Sequence, residues 1–499
     1  MGQFSGEIKV ASRIVDYLSS GLYNSPAACL KELVNNSYDA DASRVDVFVR
    51  PDADRIVVSD DGAGLTQKEF EDHFRRVSES HKRDDSDSTA RGRPKIGKIG
   101  IGFIAANELC DVMEIVSTKA GSTELLRVEV NFDEMRLDPA KRKREDGTYV
   151  KGDYSGVIGK AARDEHYTHV FLKRVKPTAQ GILMGARKRK HSSGAASVYG
   201  LAPGSVCRLI SGEAIANWGD LDDYSQAMLR VGLNVPVRYL PEWFPPEHAD
   251  LFESLEREVA GLGFRVYCDG SDLRKPVVLP AGERSLARRL VIDGDHVAAH
   301  GYLYVKHGVL RPEWLNGVMI RIRNAAVGDY DRSFLGFKSS EGTLFQRWTT
   351  CEIWADDRLE DALNIDRRTL RETHPAYLEL QEAFHDILSD FLKEARARLY
   401  TEPAAERRRS DARREVKRMT EVIRSPEAAL PRALQTELRS VAKERASKER
   451  TSAPRDVRAV LRKFTVAELY ELALKVARDT LPPREYEAFA KALAERLLR

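Results

Sequence analysis

The chain has 499 residues, of which 42% are hydrophobic and 31% charged, with a net charge of +3. This length accommodates two or three domains, and the composition is that of a soluble globular protein. No apolar run approaches a membrane span and the first residues lack the apolar core of a signal peptide, so we expect a cytoplasmic protein with no membrane partner.

Cysteine and histidine usage excludes several kinds of site. The five cysteines are scattered without C-x-x-C spacing, which argues against a disulfide framework or a zinc ribbon. The 11 histidines lack a ligand pattern such as H-E-x-x-H. The sequence therefore predicts no metal site built from protein ligands alone.

The first predicted helix begins with Ser25 as N-cap and Pro26 in the first turn. Its spacing places Glu32, Asn36 and Asp39 on one polar face. A carboxylate and an amide one turn apart can hold a water and a metal on the same ligand. Taken alone, however, such a face is more often the solvated side of an amphipathic helix.

A predicted strand over residues 55–59 leads into the second motif, Asp60-Asp-Gly62-Ala-Gly64. The first acid opens a turn, and its two glycines allow the backbone to come close to a flat ligand.

Residues 78–92 are polar and poor in apolar side chains, which predicts a mobile loop. Lys82 lies in this loop and could reach a phosphate from it. The alternative is an ordinary solvated loop.

The third motif is a glycine-rich run entering a helix, Ile96-Gly97-Lys98-Ile-Gly100-Ile-Gly102-Phe103. Free amides and the helix dipole at such a position favour phosphate. Two other nucleotide motifs fit less well. A P-loop over 92–99 would need a Ser or Thr where Ile99 stands, and a dinucleotide fingerprint over 100–105 would need a strand where a polar loop precedes it.

In this order, the three motifs resemble the GHKL ATPases, the superfamily of DNA gyrase, the ninety-kilodalton heat-shock chaperone, histidine kinases and MutL. Among these the resemblance is to the heat-shock-chaperone-like and microrchidia-like members. It implies a site for ATP with Mg²⁺. By this resemblance Glu32 is the general base that activates water, Asn36 is the side-chain ligand of Mg²⁺, and Asp60 reads the adenine amino group.

The resemblance also implies a wider set of nucleotide contacts and an ATP lid over residues 72–96. The segment 167–172 resembles the strand whose threonine supports the adenine-reading acid. His73 stands where related chaperones carry an asparagine near the nucleotide, so the ribose contacts differ from theirs. The further nucleotide-binding residues are Asp39, Gly62, Gly64, Lys82, Gly97, Lys98, Gly100, Gly102, Phe103 and Thr168.

The fold expected from these patterns is α/β (α+β). Helices and strands alternate over residues 1–215, which predicts a Bergerat-type ATPase sandwich. Strand-like segments over 216–400 predict a second α/β domain of the middle or transducer type. Within it, residues 351–368 resemble the segment of the heat-shock chaperone that delivers an arginine to the γ-phosphate. The resemblance makes Arg367 that catalytic arginine, with Arg368 as the neighbouring candidate. The alternative is that both arginines pair with surface acids such as Asp361 and Asp366.

Residues 401–499 carry 24 Lys and Arg against 16 Asp and Glu, a net charge of +8. Their pattern predicts a small helical module that could support self-association and present a basic surface to nucleic acid. A solvated charged helix is the simpler alternative. The basic runs at 141–144 and 187–190 are more typical of solvated loops.

Two functions remain open from the sequence. The first is an ATP-binding, Mg²⁺-dependent ATPase that works as an ATP-gated dimeric clamp or chaperone-like machine. The second is a nucleotide-gated, nucleic-acid-binding component with little turnover of its own. The residues do not decide between a client protein and a nucleic acid as the partner.

Overall fold

The computed structural model describes residues 25–49, 54–75, 88–97, 105–136, 154–185, 195–212, 214–279, 284–338, 346–364, 367–401, 408–414, 417, 473–475, 477–479 and 481–498. The chain divides into two compact units, Met1–Lys393 and Glu394–Arg499.

Mixed helices and strands confirm the expected α/β class. The helices of the described residues are α1 Pro26–Asp39, α2 Gln67–Arg75, α3 Ala106–Leu109, α4 Phe132–Arg136, α5 Pro177–Leu183, α6 Pro203–Ile210, α7 Asp223–Asn234, α8 Ala249–Ala260, α9 Pro375–Arg396 and α10 Pro483–Leu498. Short 3₁₀ turns occur at Trp218–Asp220, Pro241–Trp243, Pro246–His248, Glu313–Leu315 and Asp357–Ala362.

The first sheet contains eight strands in the order β5-β4-β3-β6-β2-β1-β7-β8. Its strands are β1 Arg44–Phe48, β2 Ile56–Asp60, β3 Cys110–Thr118, β4 Glu124–Asn131, β5 Tyr154–Lys160, β6 Tyr167–Val175, β7 Arg265–Cys268 and β8 Ser271–Asp272. Neighbouring strands are antiparallel except β1 and β7, which run parallel. The register places Asp60 at the end of β2 opposite Thr168 of β6.

Strands β7 and β8 join this sheet from beyond residue 215. Val45 pairs with Val266, and Val49 N donates to Asp269 Oδ1 at 2.8 Å. The sheet therefore takes strands from both sides of the expected boundary at residue 215. The division at residues 215 and 400 stays a prediction.

Helix α1 forms as its sequence predicts. Ser25 Oγ accepts a hydrogen bond from Ala28 N at 3.3 Å, and Pro26 occupies the first turn. Leu30 and Val34 are fully buried in the core between α1 and the sheet. Helix α1 packs on α7 and α3, so its position is fixed on several sides.

The second sheet has five strands in the order β12-β11-β13-β10-β9. They are β9 Ser285–Asp293, β10 Ala298–Lys306, β11 Gly317–Ile322, β12 Ala325–Asp331 and β13 Thr349–Ala355. Strands β11 and β13 are parallel, and the other neighbours are antiparallel.

A buried ion pair lies in the core beside this sheet. Arg321 Nε lies 2.5 Å from Glu352 Oε2, and both side chains are fully buried. The hydroxyls of Tyr239, Tyr302 and Tyr330 donate to the same carboxylate at 2.8, 2.9 and 3.1 Å. Burial alone would raise the pKa of Glu352, but the Arg321 guanidinium and the Tyr239 hydroxyl outweigh it and hold the pKa below its usual value. Both oxygens of the Glu352 carboxylate are hydrogen-bonded, and such a buried charge is tolerated where an unpaired one is not.

The second unit, Glu394–Arg499, is described only in parts. Its described residues are helical over 408–414 and in α10, in line with the expected helical character. Within the described part of the chain, no helix combines the length and apolarity needed to cross a membrane.

Candidate functional site

Asp60 lies at the end of β2 with its side chain directed into the protein. The residue is only 7% exposed. Its Oδ2 accepts a hydrogen bond from Ser37 Oγ at 2.8 Å, and its Oδ1 accepts one from Gly62 N at 2.9 Å. Both oxygens are thus held in place by α1 and by the turn that follows β2.

The protonation of Asp60 is unusual for a carboxyl group. Burial raises its pKa to about 6, although the hydrogen bonds from Ser37 and Gly62 favour the charged form. Such a carboxylate has little competing water around it and is a strong acceptor for a buried donor. A perturbed acid in a built position marks a candidate binding site.

The adjacent Asp61 has a different task. Its carboxylate accepts hydrogen bonds from Ser43 N at 2.7 Å, from Arg44 N at 2.8 Å and from Ser43 Oγ. Burial would raise the pKa of Asp61, but these hydrogen bonds outweigh it and lower the pKa. Asp61 therefore fixes the start of β1, and the structure distinguishes two acids that are equivalent neighbours in the sequence.

The two glycines of the second motif are surrounded by protein backbone. A Cβ at Gly62 would lie 2.7 Å from Ala40 O, and one at Gly64 would collide with Thr118 O. Gly64 also has φ +74°, a conformation that favours glycine. These glycines let the turn pack tightly against α1 and β3, whatever contact they make with a ligand.

Thr168 is buried on β6 opposite Asp60, as the expected supporting role requires. Its Oγ1 lies 3.0 Å from Ser117 Oγ on β3. Ser117 Oγ also donates to Tyr167 O at 2.8 Å and accepts from Leu65 N at 2.9 Å. Because Ser117 has one proton and gives it to Tyr167, the Thr168 hydroxyl donates to Ser117.

Sequence reasoning missed Ser117 and His166. Ser117 ties the glycine turn to β6, and His166 Nδ1 lies 2.8 Å from Gly62 O, to which it must donate. Neither residue belongs to a motif, and both act across long sequence separations. Only the strand register brings them to the turn.

Glu32 and Asn36 lie one turn apart on α1, as predicted. The Glu32 side chain is 15% exposed, and its Oε1 lies 3.3 Å from Lys31 Nζ. Asn36 is exposed. The same helix thus presents a carboxylate with a neighbouring ammonium group and an accessible amide, while Ser37 of its next position holds Asp60.

Asp39 binds the start of the glycine-rich run. Its Oδ1 accepts from Ile96 N at 2.7 Å and its Oδ2 from Gly97 N at 2.8 Å. The carboxylate therefore positions backbone that was expected to line phosphate, and it brings the first and third motifs together.

Residues 88–97 form the described end of the expected lid. Ser88 pairs with Pro94 in a short antiparallel bridge. The Arg93 guanidinium donates to Ala42 O at 2.5 Å and to Gly263 O at 3.2 Å, and lies over the ring of Tyr38. These contacts of Arg93 fix this end to the protein.

Several predicted contacts fall outside the described residues. They are Lys82, Lys98, Gly100, Gly102 and Phe103, together with residues 76–87 of the expected lid.

Arg367 forms an ion pair in this structure. Its Nη1 lies 3.4 Å from Glu360 Oε1, and its side chain is 15% exposed. Its φ of 51° is uncommon for a residue other than glycine. The partner is Glu360 and not Asp361, while Asp366 lies outside the described residues. Arg368 lines a cavity of about 360 Å³ next to β11 and β12.

The residues of the site fit an adenine base at Asp60 and a phosphate-bound metal at Asn36. Asp60 supplies a buried acceptor of fixed orientation, and Asn36 supplies an exposed amide oxygen. The described residues contain no cluster of three His, Cys, Asp or Glu side chains that could hold a metal by itself. A metal here would take its remaining ligands from phosphate and water, as Mg²⁺ commonly does.

Comparison with known proteins identifies the same segment. Residues 23–145 match the family described as histidine kinase-, DNA gyrase B-, and HSP90-like ATPase. The chaperone protein HtpG of Bacillus subtilis (strain 168) is 27% identical over 163 residues, covering 28% of this chain and 25% of the relative. HtpG of Methylobacterium sp. (strain 4-46) is 31% identical over 161 residues, covering 28% and 26%.

A protein named "Putative type II restriction enzyme HgiDII", from Herpetosiphon aurantiacus, is 34% identical over 115 residues, covering 23% of this chain and 18% of the relative. Each of these alignments thus spans about a quarter or less of the relative's length. The family match over residues 23–145 contains α1, the turn after β2 and the glycine-rich run. Residues 23–145 thus match the same family of ATPases that the three sequence motifs resemble.

Proposed function

We propose that this chain is a Mg²⁺-dependent ATPase that works as an ATP-gated dimeric clamp of the heat-shock-chaperone type. The observation that carries the proposal is the buried Asp60, held by Ser37 of the helix whose outer face presents Glu32 and Asn36. The helix that holds the adenine acceptor thus also carries the two groups expected at the phosphate end.

Asp60 binds the base. Its ionised carboxylate accepts a hydrogen bond from the adenine amino group, and the Ser37 and Gly62 contacts keep it from turning away. Thr168 and Ser117 hold the surrounding backbone in place. Because the acceptor is already oriented, little ordering free energy is spent on binding.

Glu32 orients and deprotonates the attacking water. When bound with ATP, Mg²⁺ neutralises phosphate charge, and Asn36 is the side chain that would hold it. The Lys31 ammonium lies beside this carboxylate, with Nζ 3.3 Å from Glu32 Oε1. Asp39 keeps the amides of Ile96 and Gly97 in place at the start of the phosphate segment. Gly100 and Gly102 would line the phosphates, and Lys82 would reach them from the lid.

Arg367 stabilises the charge that develops on the phosphates. It must leave Glu360 to do so, which makes its engagement dependent on bound nucleotide. Closure of the lid and of two copies around this state is the clamp step.

A second function is favoured by two specific observations. One relative is named as a restriction enzyme, and residues 401–499 carry a net charge of +8. In this version nucleic acid is the partner that the clamp holds, and ATP gates its binding with little intrinsic turnover. Its affinity for DNA would fall steeply with added salt.

One experiment tests the proposal and separates these functions. We expect Arg367→Ala to lower kcat for ATP about 100-fold with a smaller change in nucleotide affinity, because the guanidinium acts mainly in the transition state. Arg368→Ala is the matched control and should retain most activity. Phosphate release is measured with Mg²⁺, with and without double-stranded DNA. Stimulation by DNA supports the nucleic-acid clamp, whereas equal loss in both variants would contradict the role given to Arg367.

Nucleotide affinity should depend on pH through Asp60. The pKa of about 6 means that most of this carboxyl is protonated at pH 5 and ionised at pH 7.5. Since the adenine amino group binds the ionised form, we expect ADP affinity to fall about tenfold at pH 5. Ionisation of Asp60 has the opposite effect on the stability of the fold. The pKa in the folded state lies above the usual aspartate value of 3.8, so stability falls as pH rises through this range, by about 3 kcal/mol.

Calorimetry with ADP at pH 5, 6 and 7.5 measures this dependence. Asp61→Asn should keep this pH dependence, displaced slightly to lower pH, because Asp61 hydrogen-bonds Ser43 and Arg44 and its charge is a minor cause of the raised Asp60 pKa. An ADP affinity that is constant across this range would contradict the role of Asp60.

A further inference from the structure

Glu360 lies between two arginines, and this inference rests on the proposed function of one of them. Arg367 Nη1 contacts its Oε1 at 3.4 Å, and Arg323 Nη2 contacts its Oε2 at 3.2 Å. The first contact is long, and the second does not have hydrogen-bond geometry. Among its described contacts, this carboxylate is thus shared by two guanidinium groups. Its side chain is only 8% exposed, so water screens these charges weakly.

Arg323 lies at a turn position where another residue type would be more stable. Arg323 and Asn324 form the two-residue turn between β11 and β12, with φ of 54° and 66°. Such turns prefer asparagine or glycine at both positions. Trp354 Nε1 fixes the second residue by donating to Asn324 Oδ1 at 3.0 Å. The Arg323 side chain is only 2% exposed. An arginine kept in a strained turn with its side chain buried indicates that the side chain has a role of its own.

That side chain reaches the phosphate segment. Arg323 Nη1 donates to Lys95 O, while its Nε is held by Asp357 Oδ1 at 2.7 Å. Lys95 directly precedes Ile96 and Gly97, whose amides are bound by Asp39. The segment is therefore gripped from two sides, by α1 through a carboxylate and by the second sheet through a guanidinium.

We infer that Glu360 is a shared carboxylate that couples the position of Arg367 to the grip of Arg323 on the phosphate segment. While Arg367 is at rest, both arginines contact Glu360, and Arg323 binds Lys95 O. When Arg367 leaves for the nucleotide, Glu360 turns wholly to Arg323 and improves its contact. Arg323 then holds Lys95 O more firmly, and the amides of Ile96 and Gly97 are better fixed. Glu360 and Arg323 are positioning residues in this scheme.

The coupling predicts that two variants affect the phosphate segment in opposite directions, whereas a purely structural role predicts the same direction for both. Removing Arg367 mimics its departure, so Arg367→Gln should tighten the segment. Neutralising the shared carboxylate by Glu360→Gln should loosen it. If these residues only stabilised the fold, both variants would loosen the segment. Asp361→Asn is the matched control, because Asp361 is the exposed neighbour of Glu360 on the same turn.

Amide hydrogen exchange of the full chain without nucleotide measures how firmly the segment is held. Mass spectrometry follows the exchange of the peptide that contains Ile96 and Gly97. We expect exchange about threefold slower in Arg367→Gln and about tenfold faster in Glu360→Gln, with Asp361→Asn unchanged. Arg323→Asn, which suits the turn, should behave like Glu360→Gln. Thermal unfolding verifies that each variant is folded. Faster or unchanged exchange in Arg367→Gln would overturn the inference, even if Glu360→Gln failed to fold.

A second arm separates this inference from the proposed function. ATPγS bound to the wild type should slow the same exchange, and it should slow Arg367→Gln no further. Calorimetry that detects ATPγS binding with no slowing in the wild type would overturn the coupling alone. Absence of binding would overturn the proposed function, while the nucleotide-free comparison would still decide the coupling.

Discussion

Asp60→Asn should weaken ATP binding about 100-fold while the protein stays folded. The substitution keeps the shape of the side chain but replaces a charged acceptor of the adenine amino group by a neutral amide, and a hydrogen bond to a charged group contributes about 1.5 to 3 kcal/mol. The variant should be at least as stable as the wild type at pH 7.5, because the substitution removes a charge that is unfavourable in this buried position. Calorimetric titration with ATP and thermal unfolding measure the two effects.

Asp61→Asn is the control for this substitution. It makes the same chemical change one residue away, at a carboxylate that fixes Ser43 and the start of β1. We expect it to bind ATP like the wild type and to lose some stability. If Asp60→Asn bound ATP normally, the adenine would not be read by this residue.

Glu32→Gln should leave ATP binding nearly unchanged and lower kcat by about 10² to 10⁴, the usual contribution of a general base. The amide has the same size but cannot accept the proton of the attacking water. Because the change acts in the chemical step, kcat should fall with little change in the ATP dissociation constant. Phosphate release and calorimetry on the same preparation separate the two quantities.

Glu71→Gln is the matched control for Glu32. Glu71 lies on α2, where its carboxylate accepts from Gln67 Nε2 at 2.9 Å, outside the predicted nucleotide contacts. It should leave turnover unchanged. Equal turnover in Glu32→Gln and the wild type would show that another group activates the water.

The local parts of the site were predictable from the sequence. Ser25, Pro26 and the spacing of Glu32, Asn36 and Asp39 describe α1, because helix caps and periodicity act over a few residues. The strand before Asp60 was likewise readable as a short apolar run, whereas the strand containing Thr168 was indicated by the family resemblance.

The parts that depend on distant contacts were not predictable. The sequence does not indicate which of Asp60 and Asp61 turns inward, since that follows from the partners Ser37 and Ser43 on other elements. Nor does it indicate that β7 joins β1. Arg323 donates to Lys95 O across 228 positions of the sequence. No short sequence pattern encodes such a tertiary contact.

Steady-state phosphate release separates ATP binding by Asp60 from hydrolysis with the help of Glu32. It is measured for the full chain with Mg²⁺ and ATP at pH 7.5, beside Asp60→Asn and Glu32→Gln. We expect saturable release by the wild type, which Glu32→Gln loses at every ATP concentration and Asp60→Asn recovers only at much higher ATP. Equal release by all three proteins, or no release by a wild type that binds ATP, would contradict this expectation.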